Sequence, residues 1–258
     1  MREVLESPLP NAPNPIAFSV LRVPFFLEPH YDENKASIES NRQRLIQKWG
    51  GTAGWERQKS SHDLKGRGME AGIPHFNLDR LTSNTMASHR LIQHVGKKYG
   101  LRVSEGLYDR LNVYYFVDGH ALNDRPRLAK VASEELQKLV TTDDDNIHNN
   151  SIMTEGQILD FLNGNQGRVE ILKALRTLDD IGVHGIPKFI IGGKSVIDGA
   201  AKSPTFLRIF RSIEQGGKVA FEDEHEQPRT IFGEILGVSE DIIRRGSHTR
   251  ENIDVAFA

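Results

Sequence analysis

Apolar residues recur along this chain at two different spacings, and the spacing changes near residue 188. Between about residues 86 and 180 they fall three or four apart, the period of helices buried along one face. Leu91, Ile92 and Val95 form one such stripe, closed by Gly100. Leu107, Leu111, Tyr114 and Tyr115 form the next, predicting a helix over 106–116. Asp124 can cap a helix from Pro126 to Leu139, with proline in the first turn, where its missing N–H costs nothing. A polar, acidic loop follows over 141–150. Thr154 can then cap a helix carrying Ile158, Leu159, Phe161 and Leu162. Val169, Leu172, Leu175 and Leu178 mark a longer helix over 167–180, stopped by Gly182.

The flanking regions follow other patterns. Residues 1–15 are rich in Pro and Asn and predict a flexible leader. Ile16 to Val23 predicts a strand, stopped by Pro24. Ala36 to Trp49 predicts a helix ended by Gly50-Gly51, and helical character returns from Trp55 to Leu64. Gly66, Gly68 and Gly72 weaken it beyond that. Asp79 to Thr85 predicts a loop entering the next helix. After Gly182 the period shortens: Lys188 to Ile191 and Ser195 to Ile197 predict two strands joined by Gly192-Gly193, a two-residue turn with positive φ at both positions. Asp198-Gly199-Ala200 predicts a bend. Ser203-Pro204 starts a helix through Phe206, Leu207, Phe210 and Ile213. Residues 218–258 predict an appendage, with an acidic linker at 221–226 and short amphipathic helices around Ile231–Leu236 and after Ser239.

Composition narrows the function. The 258 residues are 38% hydrophobic and 26% charged, as in a soluble globular protein, with a net charge of −2. That balance supplies no drive toward nucleic acid or an anionic membrane. No apolar run approaches the roughly 18–20 residues of a membrane helix. The opening shows neither the basic nor the apolar region of a secretory signal, so a cytoplasmic location is expected. There is no cysteine, which removes disulfides, thiolate metal sites and thiol nucleophiles from this sequence.

One constellation carries a resemblance. Gly182-Val183-His184-Gly185-Ile186-Pro187-Lys188-Phe189-Ile190-Ile191, followed by Val196-Ile197-Asp198-Gly199-Ala200, resembles the end of a DsbA-type thioredoxin domain, and more closely its FrnE-like branch. Val20 to Pro29 resembles that family's second strand and exit. Phe76 to Leu91 and Leu111 to Asp124 resemble its inserted helices. The match spans about residues 16–216 and implies an α/β thioredoxin-like fold: a leader over 1–15, a DsbA-like domain over 16–217 with a helical insertion at about 36–165, and the appendage. It implies an oxidoreductase acting on thiols or disulfides, with Pro187 as the cis-proline beside the redox site. Ile186 would offer its backbone to an extended thiol-bearing substrate, a form of strand addition. Asp198 and Gly199 would line the substrate side, or serve only as a bend.

The resemblance departs at the start. The family opens with a strand and a Cys-x-x-Cys at a helix N-terminus, where the dipole lowers a thiol pKa. That first βα unit is unmatched here, so no catalytic residue is assigned and dithiol exchange is not expected. The strand at 16–23 then lacks its neighbour, and each buried backbone bond left unmade costs ~1–3 kcal/mol. Two arrangements are expected to meet this. One is a start lying downstream of a longer chain's true beginning. The other is a rearranged sheet, with 16–23 sliding next to the hairpin or a partner supplying a strand, which makes a homodimer an expectation.

Two further function classes stay open. One is a glutathione-dependent isomerase or kappa-type transferase, with glutathione as cofactor and a serine near the first helix; Ser7 and Ser19 stand outside a matching context. The other is a non-catalytic module binding a peptide or a small thiol. Otherwise no cofactor, metal, nucleic acid or membrane partner is expected. His184 is expected in an exposed loop. Ser83, Asn84 and His89 are expected to serve capping and core hydrogen bonds. His89 and His94, five apart, do not share a helix face and make poor joint metal ligands.

Overall fold

The computed structural model describes residues 1–13, 16–35, 39–70, 72–73, 75–143, 152–193, 195–216 and 231–252. The acidic linker at 221–226 and most of the loop at 141–150 lie outside the described residues. In chain order the elements are α1 (Arg2–Glu6), α2 (Asn41–Lys48), α3 (Thr52–His62), α4 (Leu64–Glu70), α5 (Met86–Tyr99) and α6 (Leu101–Phe116). They continue with α7 (Arg125–Asp143), α8 (Glu155–Asn163), α9 (Arg168–Asp180), β1 (Lys188–Ile191), β2 (Ser195–Asp198), α10 (Ser203–Gly216), α11 (Ile231–Leu236) and α12 (Glu240–Arg245). A 3₁₀ turn closes the series at Arg250–Asn252. The chain divides into two compact units: Met1–Leu27 with Gln93–Arg102 and Gly167–Ala258, and Glu28–Ile92 with Val103–Gln166.

The second unit is helical. Ser40 caps α2 through a reciprocal box with Gln43, and Thr154 caps α8 through another with Gln157. Leu107, Leu111 and Tyr114 of α6, Leu128 and Leu136 of α7 and Ile158 and Leu162 of α8 are buried. α7 packs on α8. Gly106 brings α6 against α7, since a Cβ there would stand 2.6 Å from the Leu139 side chain. The polar cluster beside α5 serves capping: the Met86 N–H donates to Asn84 Oδ1 at 2.8 Å, and the Leu122 N–H donates to Ser83 Oγ at 2.9 Å. α6 starts at Leu101, earlier than its predicted 106, because Leu101 and Val103 are buried and extend the stripe backward.

The first unit holds a two-stranded sheet, β1 with β2 antiparallel. Gly192 and Gly193 have φ of +57° and +69°, but Ile191 pairs with Ser195. The connection therefore spans three positions rather than the predicted two; the third, Lys194, lies outside the described residues. One face of the hairpin packs on α10. Phe189 meets Phe206 edge-on at 4.9 Å, and Phe210 meets Phe18 at 4.7 Å. Ile197 and Phe210 are both 8% exposed.

Two expectations fail here. The stretch at 16–23 enters no strand. Its ladder is a single antiparallel bridge, Phe18 with His248, and Gln93 Nε2 donates to the Arg22 carbonyl at 3.0 Å. It does not slide beside the hairpin. Leu21, Val23 and Phe25 instead pack against a cluster of Leu178, Val183, Phe232, Leu236 and Val238. Burial against the C-terminal helices takes the place of sheet pairing, and the segment at 231–243 docks on this unit's core. The opening stretch, expected to be a flexible leader without a helix, forms α1, with Val4 0% and Leu5 2% exposed. The helix is held against α10: the Leu9 N–H donates to Glu214 Oε1 at 2.8 Å, and Glu214, almost wholly buried, also takes an ion pair from Arg211 at 2.6 Å. The docking, not local propensity, makes so short a helix stable.

Candidate functional site

The base of the hairpin gathers the residues singled out in the sequence. Val183 is buried and its N–H donates to the Leu178 carbonyl at 2.8 Å, which ties the end of α9 to the segment leading into β1. Gly182 supplies the positive φ, +71°, at the helix end. The chain then runs exposed through His184, Gly185 and Ile186 into β1, and the Ile186–Pro187 peptide is cis. Among the described residues, no backbone hydrogen bond ties Gly185 or Ile186 to another element. Ile186 is 49% exposed.

Pro187 and Gly199 close the hairpin's base. The Gly199 N–H donates to the Pro187 carbonyl at 2.8 Å, one step beyond the Lys188–Asp198 pair. Gly199 has a φ of +78°, which favours glycine. Gly199 stands at the bend that ends β2. Asp198 does not stand free. Its Oδ1 lies 2.8 Å from Nζ of Lys188, a partner that the sequence pattern did not reveal. Residues directly opposite on paired strands share a face, and that could have flagged the pair had the register been known. His184 is exposed, with Nδ1 3.5 Å from Oδ1 of Asp179.

Ser7 and Ser19 are not brought to this place. Ser7 ends α1, its N–H donating to the Glu3 carbonyl. Ser19 shares a 2.5 Å hydrogen bond with the Ser247 hydroxyl. Among the described residues no group of three His, Asp or Glu side chains is arranged to hold a metal. No helix among them is long and apolar enough to cross a membrane.

The hairpin base therefore offers backbone and shape rather than a nucleophile: an exposed bend, a cis-proline, a neutralised Lys–Asp pair, and no thiol. The structure is similar to the crystal structure of a probable DsbA oxidoreductase from Streptomyces coelicolor, with a TM-score of 0.58 and 19% identity, over 77% of this chain and 76% of that one. The chain has a DsbA-like thioredoxin fold with a helical insertion. No protein-family model and no curated protein matches the sequence. In this DsbA-like fold the sheet is reduced to β1 and β2 among the described residues; the C-terminal helices fill a core cluster of the unit that holds it, and α1 buries Val4 and Leu5 and packs on α10.

Proposed function

We propose that this chain is a DsbA-related protein of the FrnE-like branch that binds an extended thiol-bearing peptide or a small thiol along Gly185–Ile186, and that these 258 residues perform no dithiol exchange. One observation carries the reading. The segment leading into β1 is exposed and bends at Gly185–Pro187, and among the described residues no backbone hydrogen bond claims Gly185 or Ile186. Free backbone groups next to a strand are what strand addition requires. The similarity to a probable DsbA oxidoreductase supports the placement, and the segments at 20–29, 76–91 and 182–200 support the FrnE-like assignment. The absence of cysteine supports binding without redox turnover.

The experiment pairs an activity assay with a titration. In insulin reduction the chain is expected to match buffer; turnover above buffer would overturn the non-redox part. A synthetic extended hexapeptide with a central cysteine is then titrated against the labelled protein, with its serine counterpart alongside. Saturable amide shifts centred on Gly185 and Ile186 are expected, larger for the cysteine peptide. Shifts elsewhere, or none, would overturn the site. Reduced glutathione in a third titration is expected to bind no more tightly than the peptide; tighter binding would favour the glutathione-dependent enzyme class.

A further inference from the structure

The outer edge of β1 is open, and its hydrogen-bonding groups can be assigned from the register. Gly199 donates to Pro187, so residues 187 and 199 form a hydrogen-bonded pair of the antiparallel ladder. Such pairs alternate with pairs that are not hydrogen-bonded. With the register Phe189↔Ile197 and Ile191↔Ser195, those residues bond inward to β2. The N–H and C=O of Lys188 and of Ile190 therefore face outward, and β1 has no second neighbour among the described residues.

The surroundings of this edge are apolar. Ile186 is 49%, Phe189 40%, Ile190 47% and Val196 52% exposed. Ile190 and Val196 are cross-strand partners on the face turned away from α10. The edge's one charged side chain, Lys188, is neutralised within the hairpin by Asp198. Of the usual defences of a free edge, β1 has a short length and Lys188, whose charge is taken up by Asp198, and no proline inside the strand.

We propose that the β1 edge is a self-association surface, and that its occupant is β1 of a second copy of this chain, paired antiparallel about a two-fold axis at Phe189. In that register Lys188 lies opposite Ile190 of the second copy and the reverse. All four outward groups of each strand are then used, and Phe189 faces its own mate. Three features select a second copy. The edge is complementary to itself, as an isologous contact requires. Two copies bring no uncompensated like charges together, because each Lys188 keeps its Asp198. Pro187 and the Gly192-Gly193 turn limit the strand to four residues, so the contact closes at a dimer. The outer edge of β2 is the poorer candidate, since Asp198 leaves its carboxylate 72% exposed there. The area sets the strength. The four apolar side chains expose roughly 300 Å² per copy, so two copies cover well under the ~1,200 Å² of a standard stable interface. The dimer is therefore weak and concentration-dependent. It uses no backbone group of Gly185 or Ile186 and does not rest on the peptide reading.

A cysteine-free chain makes the test clean. Sedimentation velocity of the unmodified chain from about 1 μM to about 500 μM is expected to show a monomer passing to a dimer, with a Kd in the micromolar range. A monomer throughout would overturn the proposal. Ile190→Asp, at an exposed position, is expected to hold the chain monomeric with an unchanged circular dichroism spectrum; a persisting dimer would place the contact elsewhere. Phe189→Cys, the self-paired position with Cα atoms about 4.5 Å apart, is expected to form an intermolecular disulfide on mild oxidation, whereas Ser195→Cys on β2 is expected not to. Equal cross-linking at both positions would refute the register.

Discussion

Replacing Arg90 with methionine tests how the helical unit holds the end of α8. Arg90 is 3% exposed, and its guanidinium spreads over three carbonyls. Nε donates to Gln166 at 2.7 Å, Nη1 to Leu162 at 3.3 Å and Nη2 to Phe161 at 2.9 Å. Phe161 and Leu162 belong to the last turn of α8, whose carbonyls have no intrahelical donor and where positive charge suits the helix dipole. The guanidinium carbon also lies 5.1 Å from the Phe161 ring centre. Methionine keeps most of the length and removes these bonds. The Phe161 carbonyl keeps the Gly164 N–H, and the exposed Gln166 can turn to water, so the buried Leu162 carbonyl bears the main loss. One orphaned buried acceptor and the lost charged bonds cost about 3–6 kcal/mol together, and relief of the buried charge returns part of this. The net expectation is a loss of about 2–4 kcal/mol.

Urea unfolding followed by circular dichroism would read that loss as a lower midpoint at constant slope. Amide exchange would show it first at Ile158–Leu162. Arg90→Lys is expected to be no better than methionine, because an ammonium reaches fewer carbonyls and still carries its buried charge. A loss below about 0.5 kcal/mol for methionine, or full recovery by lysine, would refute the reasoning.

The first unit supplies two more tests. Glu214→Gln keeps the size of the buried side chain but removes the charge that holds the Leu9 N–H and Arg211; a loss of about 1–3 kcal/mol is expected, with faster amide exchange confined to Val4–Leu9. Exchange unchanged there would mean that α1 is held by Val4 and Leu5 alone. His248 has its pKa held below the ordinary 6.5 by burial and then by the charge of Arg102; His94 shifts the same way through burial, then Lys98 and Lys97. The folded state thus binds these protons less readily than the unfolded chain. Stability is expected to be full above pH 6.5 and to fall as pH drops below it, levelling once the lowered folded values are passed. Melting temperatures measured across that range should fall less steeply for His248→Gln; an identical slope would sink the assignment.

Local chemistry made much of this fold legible. Ser40, Thr154 and Ser239 each supply an N-cap that the structure uses, and the stripes at 91–95 and 107–114 place α5 and α6 because a helix's buried face repeats within its own residues; α9 forms as predicted, but it buries Ile171, Ala174 and Leu178 and leaves Val169 exposed. The hairpin was legible because short runs of β-branched and aromatic residues flank a pair of glycines. The hairpin base was legible in part: Pro187 pairs with Gly199 next to Ile186, but the pairing of Asp198 with Lys188 depends on a register that the extra turn position alters.

The sequence by itself determined the helical pattern, the hairpin and the lack of a thiol, since each is a property of neighbouring residues or of composition. Only the tertiary structure decided the fate of the segments whose stability comes from afar. Residues 16–23 look like a strand, yet a strand exists only with a neighbour, and here Leu21 and Val23, with Phe25 beyond, find the C-terminal helices instead. Arg2–Glu6 carries too few turns to declare a helix, and becomes one because Val4 and Leu5 are buried and Leu9 reaches a carboxylate 205 residues away. The open edge of β1 is the remainder of the same cause: pairing is a long-range property, and among the described residues one side of that strand is satisfied.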